Sequence, residues 1–132
     1  MAIYFAPKRA AILICHFDMA RVDPEMRKTR QVVVVSATAL NHRHAKAAGT
    51  CVVVPFTTVP PDAGGDDDVF VAGGTYWSLP DDSWARCKLI DTVSHDRLDL
   101  MLRHGKRHSS EFLSDVDMDR ISVGIRSALA MP

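Results

Sequence analysis

The segment from Gln31 to Ser36 constrains the fold more than any other. It reads Gln-Val-Val-Val-Val-Ser, a nearly pure β-branched run. Four consecutive valines lose side-chain freedom in a helix and pack well on a pleated surface, so the run is expected to be a buried strand. A second apolar run, Thr50–Thr58, follows a polar connection at 37–49 that carries His42 and His44. It is expected to form a strand with a bulge or an edge position at Pro55, because proline cannot donate to a ladder. A basic run, Arg27-Lys28-Thr29-Arg30, leads into the first of these strands, and Thr57-Thr58 closes the second.

Other elements are shorter. Residues 11–17 read as a strand and 18–30 as a charged loop broken at Asp23-Pro24. Segment 59–75, with Pro60-Pro61 and an aspartate triplet, reads as a loop holding a short strand at 69–71. Residues 84–93 are expected to form one strand, 94–101 a helical turn opened by Ser94, and 106–112 a last strand. Ser114–Ala130 is expected to be a helix, with Ser114 three residues before Asp117 and Met118, Ile121, Ile125 and Leu129 on one face. Gly124 is expected to weaken it by roughly 1 kcal/mol relative to alanine.

Short strands plus one terminal helix give an α+β, mainly β, fold in which a small closed or half-open barrel protects the strand edges. A chain of 132 residues suits one domain, 1–132. Net charge is zero, but residues 1–50 hold eight basic and three acidic side chains while 51–100 hold three and nine. The first half is suited to a polyanion. Three cysteines without close spacing argue against a disulfide framework and fit a reducing cytoplasm. No apolar run reaches membrane-span length, so no membrane association is expected.

Arg30-Gln31-Val32-Val33-Val34-Val35-Ser36 resembles the Arg-Pro-Val-Val-Val-hydrophobic-Ser strand of the MazF/PemK toxins, bacterial messenger-RNA interferases. Glu25 lies five residues before Arg30, like the acidic residue of that family's first loop. Val54-Pro55-Phe56-Thr57-Thr58 resembles the family's Val-Pro-hydrophobic-Thr-Ser/Thr motif. Ser83-Trp84-Ala85-Arg86-Cys87, through Asp91 to Leu98, resembles the late strand and following turn of a PemK-like branch. The chain departs from the pattern in two places. Gln31 replaces a proline, which restores a backbone donor and frees φ, and Ala10-Ala11 stand where the first strand usually begins with glycine.

The resemblance implies an SH3-like barrel of MazF/CcdB type with a C-terminal helix, acting as a homodimer with a cognate antitoxin. It implies metal-independent cleavage of single-stranded RNA, without cofactor, by attack of the 2′-hydroxyl on the adjacent phosphorus. Arg30, Thr57 and Glu25 are then the candidate catalytic residues. Arg30 suits the phosphate, because a guanidinium keeps its charge and offers several donors. Thr57 suits donation to a phosphate oxygen, and Glu25 either positions Arg30 or takes a proton. Lys28, Arg27, His16, Thr58 and Arg43 are candidate substrate-binding residues, Trp77 is a candidate for base stacking, and Trp84 is expected in the core, with base stacking as its alternative. The histidine pairs 42/44 and 104/108 lack a third ligand at any zinc-site spacing, so no metal is expected. Two other functions remain open: a non-catalytic toxin like the gyrase-poisoning CcdB relatives, and an RNA-binding module on the same fold.

Overall fold

The computed structural model describes residues 2–17, 29–62 and 65–132. Its centre is an antiparallel arrangement of β1 (Ala11–His16), β2 (Thr29–Val34) and β3 (Thr50–Thr57). β4 (Asp68–Val71) and β5 (Ser83–Arg86) continue the sheet beyond one end of β3, and β6 (Asp91–Ser94) pairs with its other end. β7 (Leu98–Asp99) and β10 (Glu111–Phe112) share the outer edge of β1. Between them a separate hairpin, β8 (Leu102–Arg103) and β9 (Lys106–Arg107), stands off the sheet. The result is a curled half-barrel closed on one side by α1 (Asp115–Ala128).

Alternation along β1, β2 and β3 sends side chains to two separate cores. Ile12, Val33, Val54 and Phe56 pack under α1 with Met118, Ile121 and Leu113. Leu13, Cys15, Val32, Val34, Cys51 and Val53 pack on the other face with Ile3, Val93 and Leu98. Both faces are covered, which is why the valine run is apolar throughout rather than alternating. All three cysteines are buried. Burial pushes the Cys51 thiol up to about 11 and, with Asp67 and Asp68 adding to it, the Cys87 thiol up to about 12. These thiols are packing groups, not nucleophiles.

Several boundaries differ from expectation. β2 starts at Thr29, because its ladder with β1 runs from Ile12↔Val33 to His16↔Thr29. The strand expected at 84–93 is broken by a 3-10 turn, Cys87–Leu89. The turn lets β5 pair with Phe56 and Thr57 while β6 pairs with residues 50–53. Pro55 sits in the gap this break leaves. The ring nitrogen of Pro55 faces away from β2, because Val35 N–H bonds to Val52 C=O, so positions 52, 54 and 56 turn towards β2. The proline therefore occupies a local edge, where β3 has no ladder partner on the side its missing N–H would face. The strand expected at 106–112 is two short strands, β9 and β10, separated by 108–110.

The terminal helix is confirmed, with Ser114 capping the Asp117 N–H at 3.2 Å. The Tyr76 hydroxyl donates to Asp117 at 2.6 Å and accepts from Ser114 N–H at 2.9 Å, tying the cap to the barrel. Burial pushes the Asp117 carboxyl up, but the bonds from Tyr76 and Arg120 outweigh it and hold the group below the usual carboxylate range. The inner face is Met118, Ile121 and Gly124, with Ile125 half-buried. Leu129 is exposed, because it is the C-cap rather than a core position. No described helix is long and apolar enough to cross a membrane.

Candidate active site

Arg30 and Thr57 stand at the same end of adjacent strands. The β2–β3 ladder runs through Val34↔Val53, Val33↔Val54 and Val32↔Pro55. Continued two residues, that register sets Arg30 opposite Thr57. Directly opposed residues share a face, so both belong to the face of Val32 and Val34. Arg30 is half-buried, and its Nε is buried with no hydrogen-bond partner among the described residues. A buried guanidinium donor without an acceptor is costly unless an anion or water meets it.

Thr57 is buried at the mouth of a cavity of about 340 Å³, lined by Val59, Pro60, Asp62, Asp68 and Arg86 among others. Its Oγ1 accepts from Val59 N–H at 3.2 Å. One of the two lone pairs of the hydroxyl is thus occupied, and among the described residues its proton meets no acceptor.

The cavity also contains a pair that reading from sequence alone did not single out. Asp68 and Arg86 face each other across β4 and β5, and Arg86 Nε meets Asp68 Oδ1 at 2.8 Å. Asp68 is almost wholly buried there, while Arg86 keeps one third of its side chain in solvent. Register explains the company: Thr57 opposes Trp84, Trp84 opposes Phe70, and Arg86 opposes Asp68. All five therefore share one face, with Ala85 and Val69 turned into the core. Trp84 is not a core side chain. It is half-buried, with its ring 5.2 Å from that of Phe70, on the face of Thr57. The alternation of Ser83-Trp84-Ala85-Arg86 carried a signal for Arg86, but its closeness to Thr57 depends on the break at Cys87.

Other candidates fall elsewhere. Glu25, Arg27 and Lys28 lie outside the described residues. Thr58 is exposed in the turn after β3. His16 ends β1 beside the Cys15↔Arg30 pair, so strand alternation puts it on the opposite face from Arg30, and its Nδ1 lies 3.1 Å from Thr29 Oγ1. Arg43 lies near the start of β3, at the far end of that strand from Thr57. It donates to Ile3 C=O at 3.3 Å and approaches His95 Nδ1 at 3.3 Å. These bonds join the 41–49 connection to the N-terminal segment. Trp77 lies against the β8–β9 hairpin, with Arg103 over its ring at 5.1 Å. Among the described residues no group of His, Cys, Asp or Glu is placed to hold a metal ion.

Solved structures share this architecture. An endoribonuclease from Mycobacterial species is 21% identical, with 96% of this chain and 94% of that chain covered and a TM-score of 0.63. A second, an endoribonuclease in complex with its cognate antitoxin from Mycobacterial species, is 20% identical over 96% of each chain, with a TM-score of 0.61. MazF from Deinococcus radiodurans is 15% identical over 96% of this chain and 99% of that one, with a TM-score of 0.69. At these identities the likeness establishes the fold. No curated protein matches the chain. The profile of one family, described as the PemK-like, MazF-like toxin of type II toxin–antitoxin systems, matches residues 8–129. That span takes in the Arg30 strand, the Thr57 strand and the terminal helix, and this chain belongs to the PemK-like, MazF-like toxin family of type II toxin–antitoxin systems.

Proposed function

We propose that this toxin is a metal-independent endoribonuclease that cleaves single-stranded RNA with Arg30 and Thr57 at the scissile phosphate. The observation that carries the reading is the buried Nε of Arg30, without a hydrogen-bond partner among the described residues, at the same end and on the same face as Thr57. RNA supplies its own nucleophile. The 2′-oxygen forms a bond to phosphorus, the bond from phosphorus to the 5′-oxygen breaks, and a 2′,3′-cyclic phosphate and a 5′-hydroxyl result. One proton leaves the 2′-hydroxyl and one reaches the 5′-oxygen.

Arg30 stabilises the charge that gathers on the phosphoryl oxygens, a role in which one well-placed donor contributes about 2.7–4 kcal/mol. Thr57 donates its hydroxyl to the same group. Arg86, held by Asp68, supplies a second guanidinium at the cavity mouth, and Trp84 offers a face for a neighbouring base. Glu25 positions Arg30 or takes the 2′-proton, with Arg27 and Lys28 on flanking phosphates. The family relationship and the complexed mycobacterial neighbour support two further parts of the reading: a homodimer, and a cognate antitoxin that blocks the site.

The test is incubation of purified, antitoxin-free protein with a long single-stranded RNA in EDTA, beside Arg30→Ala. Discrete cuts with cyclic-phosphate ends, lost in the variant, are expected. Folded wild-type protein that leaves the RNA intact would reject the enzymatic reading.

A further inference from the structure

The β8–β9 hairpin is not explained by the site above. Its sequence, Leu102-Arg103-His104-Gly105-Lys106-Arg107-His108, concentrates cations on a two-stranded ribbon exposed from Leu102 to Arg107. Such a ribbon is marginal alone, and three devices fix this one. His104 and Gly105 both take positive φ, at 53° and 77°, as a tight two-residue turn with matching twist requires. The His108 N–H closes the base on Met101 C=O at 3.0 Å. Arg107 pairs with Asp99 at 2.6 Å.

The carboxylates around the hairpin are already committed. Asp99 holds Arg107, and Glu111 accepts the backbone N–H groups of Trp77 at 3.2 Å and Ser78 at 2.9 Å. Lys8, Arg103 and Lys106 have no carboxylate partner among the described residues, so their charge faces outward. Aromatic rings alternate with these cations. Arg103 lies over Trp77, His108 meets the same ring edge-on at 4.9 Å, and Arg107 lies 5.9 Å from the ring centre of Tyr4. Tyr4 is 66% exposed and Phe112 46%. Beside them opens a cavity of about 590 Å³ lined by Phe5, Lys8, Leu100 and Phe112 among others.

Exposed cations interleaved with flat rings suit a single-stranded nucleic acid, in which phosphates and unstacked bases alternate. An acidic peptide would satisfy the charges but leave the rings without flat partners. Topology places the surface usefully. β7 and β10 flank one edge of β1, and β2, which carries Arg30, lies on the other. Two strand spacings, about 10 Å, separate that outer edge from β2.

We infer that the basic hairpin, with Trp77, Tyr4 and the adjoining cavity, is a second contact surface that grips RNA flanking the segment at Arg30 and Thr57. This rests on the endoribonuclease reading. It adds that affinity grows with RNA length because of Arg103 and Lys106, residues outside the catalytic group.

The experiment compares wild type with the double variant Arg103→Ala/Lys106→Ala. Binding is read by fluorescence anisotropy with mixed-sequence RNAs of about 6 and about 20 nucleotides, 2′-deoxy at any mapped cut. The long RNA should bind about tenfold more weakly to the variant, and its salt slope should fall by about 1.4, roughly 0.7 for each lost phosphate contact. The short RNA should bind as it does to wild type, and its all-ribose counterpart should be cut as by wild type. Arg103→Lys, which keeps the charge, should recover most of the long-RNA affinity, and matched thermal midpoints should show that every variant is folded.

Wild type that cuts RNA while the variant binds long RNA unchanged overturns this inference and leaves the enzyme reading standing. Wild type that cuts nothing rejects the enzyme reading by itself. Weakened binding of an acidic peptide with RNA binding intact, or a change in sedimenting mass, would assign the surface to a protein partner or to a second copy instead.

Discussion

Asp68 and Arg86 face each other across two strands, and their side chains meet at 2.8 Å beside Thr57. The carboxylate is almost wholly buried and the guanidinium is partly in solvent, so the pair aims Arg86 at the cavity while anchoring it from behind. Arg86→Ala leaves Asp68 buried without its cation. The expected cost is about 1–3 kcal/mol of stability. Asp68→Asn should cost less stability but should still lower activity on RNA, because Arg86 loses its anchor. Denaturant melts and initial cleavage rates separate the two effects. Equal activity in Asp68→Asn and wild type would remove Arg86 from the site.

Thr57 is given a hydroxyl role, and shape-conserving substitutions test it. Thr57→Val keeps the volume and loses both the donor and the acceptor for Val59 N–H. Thr57→Ser keeps the hydroxyl. The valine variant should lose at least about tenfold in rate, one neutral hydrogen bond's worth, and the serine variant should stay close to wild type. Equal rates in the two variants would make Thr57 only a strand end.

Gly124 looks like a weak point in a helix, yet it is a contact. A Cβ there would lie 2.8 Å from Cys87 Sγ and 3.0 Å from Val69 Cγ2. Gly124→Ala should therefore destabilise the protein, by about 1–3 kcal/mol for overpacking, although alanine is the better helix former. A rise in melting temperature would show that the helix shifts at little cost.

Ala10 takes a φ of 77°, held between Val34 C=O, which accepts its N–H at 2.8 Å, and Leu113 N–H, which donates to its carbonyl at 3.0 Å. A left-handed alanine costs about 1–2 kcal/mol, whereas glycine adopts that conformation without the Cβ clash. Ala10→Gly should raise stability by about 0.5–1 kcal/mol after glycine's greater unfolded-state freedom is counted. A loss on substitution would mean that the alanine methyl packs better than its strain suggests.

His95 is wholly buried, with its Nδ1 facing Gly49 N–H and the Arg43 guanidinium, each at 3.3 Å. Burial pushes its pKa down and Arg43 adds to the effect; His42 acts the same way, while Thr50 and Asp96 oppose. A histidine with a lowered folded pKa stays neutral in the native state while the unfolded chain takes up a proton. Its contribution to stability is present above about pH 6.5 and is lost as pH falls through the folded value. Wild type should therefore lose stability between neutrality and mild acid more steeply than His95→Gln. Parallel pH–stability curves would contradict this.

Much of the fold was legible in the chain. Four successive valines do not tolerate a solvated face, so a strand buried on both sides at 31–36 followed from side-chain chemistry. The cap at Ser114 and the apolar spacing of 118 and 121 announced the terminal helix in the same local way. Arg30 and Thr57 stood out only through their likeness to family motifs, and composition put the start of the first strand at Gln31, two residues later than its ladder with β1 does. What local chemistry could not carry was pairing. Whether residues 84–93 form one strand or two depends on which part of β3 they meet, and the turn at Cys87–Leu89 settles that. Only that turn brings Arg86 and Trp84 to the face of Thr57. Only long-range register sends Arg43 and His16 away from Arg30, one to the far end of β3 and the other to the opposite face of the sheet. Propensity and periodicity act over a few neighbouring residues, whereas a site is assembled by contacts between residues far apart in the chain, and those contacts exist only once the sheet has curled.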